Sequence, residues 1–231
     1  MERGLRPRIL EGCTMELSDA VNWYYLLREY YLLYRTLSAG GSKPIRRHKR
    51  DVRERISQTM HPKTPVVHRE PAEKPVCAYL QRALDQAPAA DRGVVTTLHS
   101  LRPHLHWEYG YQRLPAHLAR KYAYAECVGP RGPVVSERLI LGLVLLAPGT
   151  TYPTHAHQTI TESYIGLSGA FSENDVGVFG PKSLILNPPG RRHRITVDSY
   201  EPCLLAFAWT GYSRDLDDPG MCFSPRTPQA L

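Results

Sequence analysis

Apolar side chains return along the first half of the chain with helical spacing. Trp23, Tyr24, Leu26, Leu27, Tyr30, Tyr31, Leu33 and Tyr34 recur at intervals of three and four residues, which predicts a helix over 18–37. The same rhythm predicts helices over 44–60, 73–87 and 92–106, parted by the breakers "AGGSKP", "HPKTP" and "APAAD". The apolar positions of the first helix cover more than one face, so burial on two sides is expected. One side would meet the rest of the chain; the other could meet a second copy, leaving a homodimer open.

Near residue 115 the rhythm changes to short runs of β type. "KYAYAECV", "SERLILGLVLL", "TESYIGLSG", "SLILN", "HRITV" and "CLLAFAW" follow one another, punctuated by Gly, Pro and Asn-Asp. That is the pattern of a small antiparallel barrel or jelly roll. The expected fold is therefore mainly β. A β-barrel over 116–231 carries a helical N-terminal region, 1–115, packed against it.

Composition narrows the picture without redirecting it. In 231 residues, 42% are hydrophobic and 22% charged, as in an ordinary soluble domain. The net charge of +7 suits anionic ligands but does not select nucleic acid. The densest basic run, "KPIRRHKRDVRERI", mixes arginines with Asp and Glu as a solvated helix face does. No helix-turn-helix spacing surrounds it, so no nucleic-acid partner is expected. No run approaches the length of an uncharged membrane span, and "WYYLLREYYLLY" is broken by Arg28 and Glu29, unlike a signal peptide. The five cysteines, Cys13, Cys77, Cys127, Cys203 and Cys222, form no CxxC and are odd in number. A reducing, cytoplasmic setting is expected.

The chemistry is concentrated in "THAHQTITESYIGLSG", residues 154–169. Strand side chains alternate faces, so His155 shares a face with His157, and Glu162 with Tyr164. The intervening "QTIT" has the length of a tight reversal, which would align both pairs across adjacent antiparallel strands inside the barrel. Two imidazoles and a carboxylate make a site for a divalent ion such as Zn, Fe, Mn, Ni or Co. His193, which begins a β-run after the Pro-Gly turn of "PPGRRH", is the best third imidazole. Without a metal, each of these buried groups would need a hydrogen-bond partner of its own. The remaining histidines, His48, His61, His68, His99, His104, His106 and His117, belong to the helical half or its edge. The "HLH" at 104–106 has no acidic companion and is read as structural.

At this point a family resemblance becomes visible. "GTTYPTHAHQTITESYIGLSG" reads G-x5-H-x-H-x4-E-x6-G from Gly149 to Gly169 and resembles the first cupin motif. "PPGRRH" resembles the P-x-G-x2-H of the second, departing from it in its spacing from Gly180 and in Val197, where an Asn is common. Tyr164 after the glutamate, Tyr152 before the histidines, the approach "YAECVGPRGPVVSERLILGLVLLAPGTTYP" and the exit "CLLAFAWTG" are similar to the cupin-type dimethylsulfoniopropionate (DMSP) lyases, most like the DddL branch. The similarity covers roughly residues 115–212.

The resemblance implies a carbon–sulfur lyase that splits a zwitterionic small molecule, DMSP, into dimethyl sulfide and acrylate by β-elimination. It implies one divalent ion per chain (Zn, Fe or Mn), held by His155, His157, Glu162 and His193. A tyrosine would be the base. Tyr164 shares the ligand face and is the first choice. Tyr152 lies an odd number of residues from His155, so alternation turns it outward unless Pro153 breaks the strand. Trp209, Tyr122 and Tyr124 offer aromatic faces for a sulfonium cation, and Arg191 and Arg192 flank His193. Competing readings are another cupin metalloenzyme, an Fe dioxygenase or decarboxylase, and a non-catalytic cupin that binds a small acid.

Overall fold

In the computed structural model, which describes residues 14–110, 114–219 and 221–223, helices cover one face of a two-sheeted β-barrel. Cys13 and the chain ends 1–13 and 224–231 lie outside the described residues. After β1 (Thr14–Glu16), α1 (Val21–Thr36) buries Trp23, Leu26, Leu27, Tyr30, Leu33 and Tyr34. These positions make a single wide stripe. Tyr24 and Tyr25 on the other side are 40% and 44% exposed. The expected two-sided burial is thus not found within the chain, because a tyrosine can keep its hydroxyl wet beside an apolar stripe.

Ser42 starts α2 (Lys43–Thr59), its hydroxyl accepting from the Ile45 N–H at 3.3 Å, with Pro44 in the first turn where no hydrogen-bond donor is needed. His48, Lys49, Val52, Ile56 and Thr59 form its buried side. Most of its arginines face solvent, and Arg55 pairs with Asp51 one turn away at 3.0 Å. Beyond β2 (Pro65–Val67) come α3 (Leu80–Asp85), α4 (Arg92–Leu101) and β3 (Trp107–Glu108). α1 and α2 fall where apolar periodicity placed them; of the expected helix over 73–87 only 80–85 is α-helical, after a 3-10 turn at 75–79, and the helix expected over 92–106 ends at Leu101. The three short strands were not expected in this half; they extend the barrel's larger sheet.

A short α5 (Ala116–Ala119) leads into β4 (Tyr122–Gly129), β5 (Val134–Val135), β6 (Ile140–Leu146), β7 (Thr151–His157) and β8 (Thr161–Ser168). Then follow β9 (Phe171–Glu173), β10 (Val178–Phe179), β11 (Leu184–Asn187), β12 (His193–Val197), β13 (Cys203–Thr210), α6 (Ser213–Asp217) and β14 (Met221–Phe223). The larger sheet runs β1-β2-β5-β4-β6-β13-β8-β11 with β3 beside β4, and the smaller runs β10-β9-β12-β7-β14. This is the β-rich barrel with N-terminal helices that the patterning predicted.

The central strands of the larger sheet are buried on both faces. Inward, Tyr122, Tyr124, Val144, Tyr164, Phe207 and Trp209 meet Tyr152, Phe171 and Ile195 inside the barrel. Outward, Ala125, Leu143, Ile165 and Ala206 meet the apolar sides of α1, α3 and α4. Two-sided burial is why β4, β6 and β13 read as nearly continuous apolar runs rather than alternating ones. Each Leu or Ile buried in this layer contributes roughly 2 kcal/mol. Two glycines of the first motif have positive φ, Gly149 at +64° before β7 and Gly169 at +75° after β8. They turn the chain where an L side chain would be strained.

Candidate metal centre and active site

The strands β7 and β8 are consecutive but not paired. β7 lies between β12 and β14 in the smaller sheet, and β8 between β13 and β11 in the larger. Residues 158–160 therefore cross the barrel instead of closing the hairpin that the "QTIT" spacing suggested. Each strand already has a neighbour on both edges, and these come from later in the sequence. The histidines and the glutamate meet because the inner faces of two sheets oppose each other.

His155 pairs in register with His193 on β12, their ring centroids 4.1 Å apart. Across the barrel, Glu162 Oε2 is 2.8 Å from His193 Nε2, and Glu162 Oε1 is 3.8 Å from His157 Nε2. Ligand atoms of His155, Glu162 and His193 all lie within 4.8 Å of one another. His157 stands at the edge of this group, and all four side chains are at most 2% exposed.

Each imidazole is oriented from behind. The Nδ1 of His155 bonds to the Pro153 carbonyl at 3.0 Å, that of His157 to the Pro219 carbonyl at 3.2 Å, and that of His193 to the Arg191 carbonyl at 3.2 Å. A carbonyl only accepts, so Nδ1 carries the hydrogen and Nε2 keeps its lone pair for a ligand. His157 Nε2, His193 Nε2 and Glu162 Oε2 are buried without an aligned hydrogen bond. An unsatisfied buried group costs about 1–3 kcal/mol, and a divalent cation among these three removes the penalty. The donor set fits such an ion.

Electrostatics points the same way. Burial, then the neighbouring His193, pushes His155 down to about 4, so it is neutral at pH 7. Burial alone would raise the Glu162 carboxyl, but His193 and the other imidazoles hold it below the usual carboxylate range. Burial would lower His193; its contact with Glu162 outweighs that and raises it.

Trp209, directly across from Glu162 on β13, donates its indole N–H to Glu162 Oε1 at 2.7 Å. Its ring also lies against His157, with centroids 4.5 Å apart. Tyr164 faces the interior, its ring 6.0 Å from that of His193.

Tyr152 faces inward as well, the alternative that Pro153 left open in the sequence. Its ring is 4.9 Å from His155 and 4.5 Å from Tyr122, to whose hydroxyl it donates at 3.2 Å. The reason is a β-bulge. Two steps on β12, from His193 to Ile195, match three on β7, from His155 to Tyr152. The extra residue at Pro153–Thr154 resets the alternation. Tyr124 is farther away and meets Phe207 at 6.4 Å. Burial, then Glu108, pushes its phenol up.

Other buried polar residues beside the site were not singled out in the sequence reading. Asn187 lies beside Glu162 in register on β11 and donates to Glu173 Oε1 at 2.7 Å. Glu173 Oε2 is 3.8 Å from the half-exposed Arg191. The available signal was the alternation of Ile185 and Asn187 on the inner face of β11. Ser163, with Tyr34 and His48, lies behind Glu162 on the outer face of the barrel.

Comparison with known proteins agrees with the geometry. A DMSP lyase DddQ from Ruegeria pomeroyi superposes with a TM-score of 0.65 at 20% identity, covering 88% of this chain and 96% of its own. A structure from the work on the DMSP lyases RdDddP and RnDddQII gives 0.66 at 19% identity, covering 90% of this chain and all of its own. At such identities the likeness concerns the fold. A curated protein of Cereibacter sphaeroides, provisionally named dimethylsulfoniopropionate lyase DddL, is 52% identical over 211 residues, 91% of each chain. With that identity, and a family model for dimethylsulfoniopropionate lyase matching residues 48–205, the chain belongs to the dimethylsulfoniopropionate lyase family.

Proposed function

We propose that the protein cleaves DMSP to dimethyl sulfide, acrylate and a proton, with His155, His157, Glu162 and His193 holding one divalent ion (Zn, Fe or Mn). The observation that carries the reading is the convergence of His155 with buried, otherwise unsatisfied ligand atoms of Glu162, His157 and His193 next to interior tyrosines, in a chain of this family. When bound, the ion supplies a Lewis acid for the substrate carboxylate, stabilising negative charge that develops beside it. The residues of the chain do the rest. Tyr164, as phenolate, takes the proton from the carbon alpha to the carboxylate. The freed electron pair forms the carbon–carbon double bond of acrylate, and the carbon–sulfur bond breaks with its electrons leaving on neutral dimethyl sulfide. No oxidant is consumed. Tyr152, brought inward by the bulge, is the second candidate for the base.

The aromatic surfaces of Tyr122, Tyr124 and Trp209 suit a dimethylsulfonium group through cation–π attraction and methyl burial. Burial of the site excludes water, which strengthens every charge interaction within it. The test is to incubate protein loaded with Zn, Mn or Fe with DMSP under anaerobic conditions and measure headspace dimethyl sulfide. Release without oxygen is expected; no release with any of the three metals would overturn the reading.

A further inference from the structure

Ser163 lies between Glu162 and Tyr164 on β8, and alternation turns it away from the barrel interior toward the helices. It is fully buried there, and its Oγ is 2.7 Å from the Tyr34 hydroxyl of α1 and 2.8 Å from Nε2 of His48 on α2. Tyr34 is 0% and His48 6% exposed. One turn before Tyr34, the Tyr30 hydroxyl donates to the Gly142 carbonyl of β6. The N-terminal helices thus hold the larger sheet by polar contacts as well as apolar ones, and one of those contacts is directly behind the metal-binding strand.

A serine hydroxyl has one hydrogen to give. With Tyr34 donating to Ser163 and Ser163 to His48 Nε2, both hydroxyl hydrogens have an acceptor within the triad; the reverse direction would leave the Tyr34 hydrogen without one there. Apolar residues of similar volume would pack this interface without three buried polar groups to pair. What the hydrogen bonds add is position. Apolar side chains slide over one another at little cost, whereas two hydrogen bonds meeting at one Ser163 hydroxyl favour one height of β8 beneath the helices. A ligand constellation needs placement within about 0.5 Å, so a fixed strand matters most where Glu162 projects.

We propose that Tyr34 and His48 are positioning residues of the metal centre: through Ser163 they fix β8 so that Glu162 and Tyr164 are presented to the ion and the substrate. The N-terminal helices are then part of the active-site scaffold. This rests on the metal-dependent reading above.

The test uses the full chain loaded with Co(II), whose ligand-field absorption reports the coordination geometry. Ser163→Ala and His48→Ala should shift the bands and weaken retention of Co(II) against a chelator by about 10–100-fold. The kcat should fall by a similar factor while KM stays within about threefold. His48→Gln, whose amide can occupy the place of Nε2, should recover most of the loss. Adding Tyr34→Phe to Ser163→Ala should cost little more, because the three groups act as a unit. Wild-type bands and chelator resistance in Ser163→Ala, whatever its melting temperature, would overturn the proposal. If Ser163→Ala does not fold, Tyr34→Phe decides by the same criterion. Absence of Co(II) bands in the wild type sinks the metal reading and this inference together; bands present but unmoved by the variants sink this inference alone.

Discussion

Trp209 Nε1 and Glu162 Oε1 are 2.7 Å apart and directly opposite each other on neighbouring strands of the larger sheet. The indole has one hydrogen to give, and giving it to Oε1 leaves Oε2 facing His193. The residue expected from sequence to receive a sulfonium group also holds the carboxylate of Glu162, the proposed metal ligand, in one orientation. Trp209→Phe keeps an aromatic face and removes the N–H. It should weaken metal retention against a chelator about tenfold or more, with KM for DMSP within about threefold. A large rise in KM at unchanged metal affinity would instead assign Trp209 to the sulfonium.

Tyr164 and His157 separate catalysis from ligation. Tyr164→Phe should keep the metal, measured by elemental analysis, while turnover drops about 10²–10⁴-fold, the usual scale for a lost general base. His157→Ala should lose both, although His157 Nε2 stands 3.8 Å from Glu162 Oε1, outside the tightest ligand group. If Tyr164→Phe stays active and Tyr152→Phe does not, the base is Tyr152.

What was legible in the sequence followed from periodicity within single elements. Alternation placed His155 with His157 and Glu162 with Tyr164, and helical spacing placed α1 and α2. Strict alternation would turn Tyr152 outward; a bulge at Pro153–Thr154 adds a residue and turns it inward, with Pro153 as the local signal. The expected hairpin failed because β7 and β8 take partners from later in the chain. The Ser163–His48 contact joins residues 115 positions apart, and neither residue type signals a distant partner. Tertiary pairing, not local pattern, decided the last two.

Metal binding should also appear as stability. Buried atoms of Glu162, His157 and His193 have no protein hydrogen-bond partner, so an ion bound there would stabilise the folded chain selectively. At about 100 times the dissociation constant the gain is about 2.7 kcal/mol, or several degrees in Tm. Differential scanning fluorimetry with and without Zn checks this. Glu162→Gln should abolish the increment; an equal increment in that variant would place the ion elsewhere.

The last prediction concerns His48 and acid. Burial pushes this imidazole down to about 4, with Asp51 opposing and Arg55 reinforcing the effect. The hydroxyls of Tyr34 and Ser163, its other neighbours, carry no charge that would reverse it. In the unfolded chain the same group titrates near its ordinary value of 6.5. Between these values the unfolded state binds the extra proton, so stability is intact above pH 6.5 and falls as the pH drops toward about 4. At about 1.4 kcal/mol per unit, the loss attributable to His48 is about 3 kcal/mol over that window. His155 contributes with the same sign, so the informative quantity is the difference between wild type and His48→Gln, which share it. Urea midpoints measured from pH 7 to pH 4 should fall more steeply in the wild type than in the variant. Parallel slopes would mean that His48 takes up its proton in the folded protein as readily as in the unfolded one.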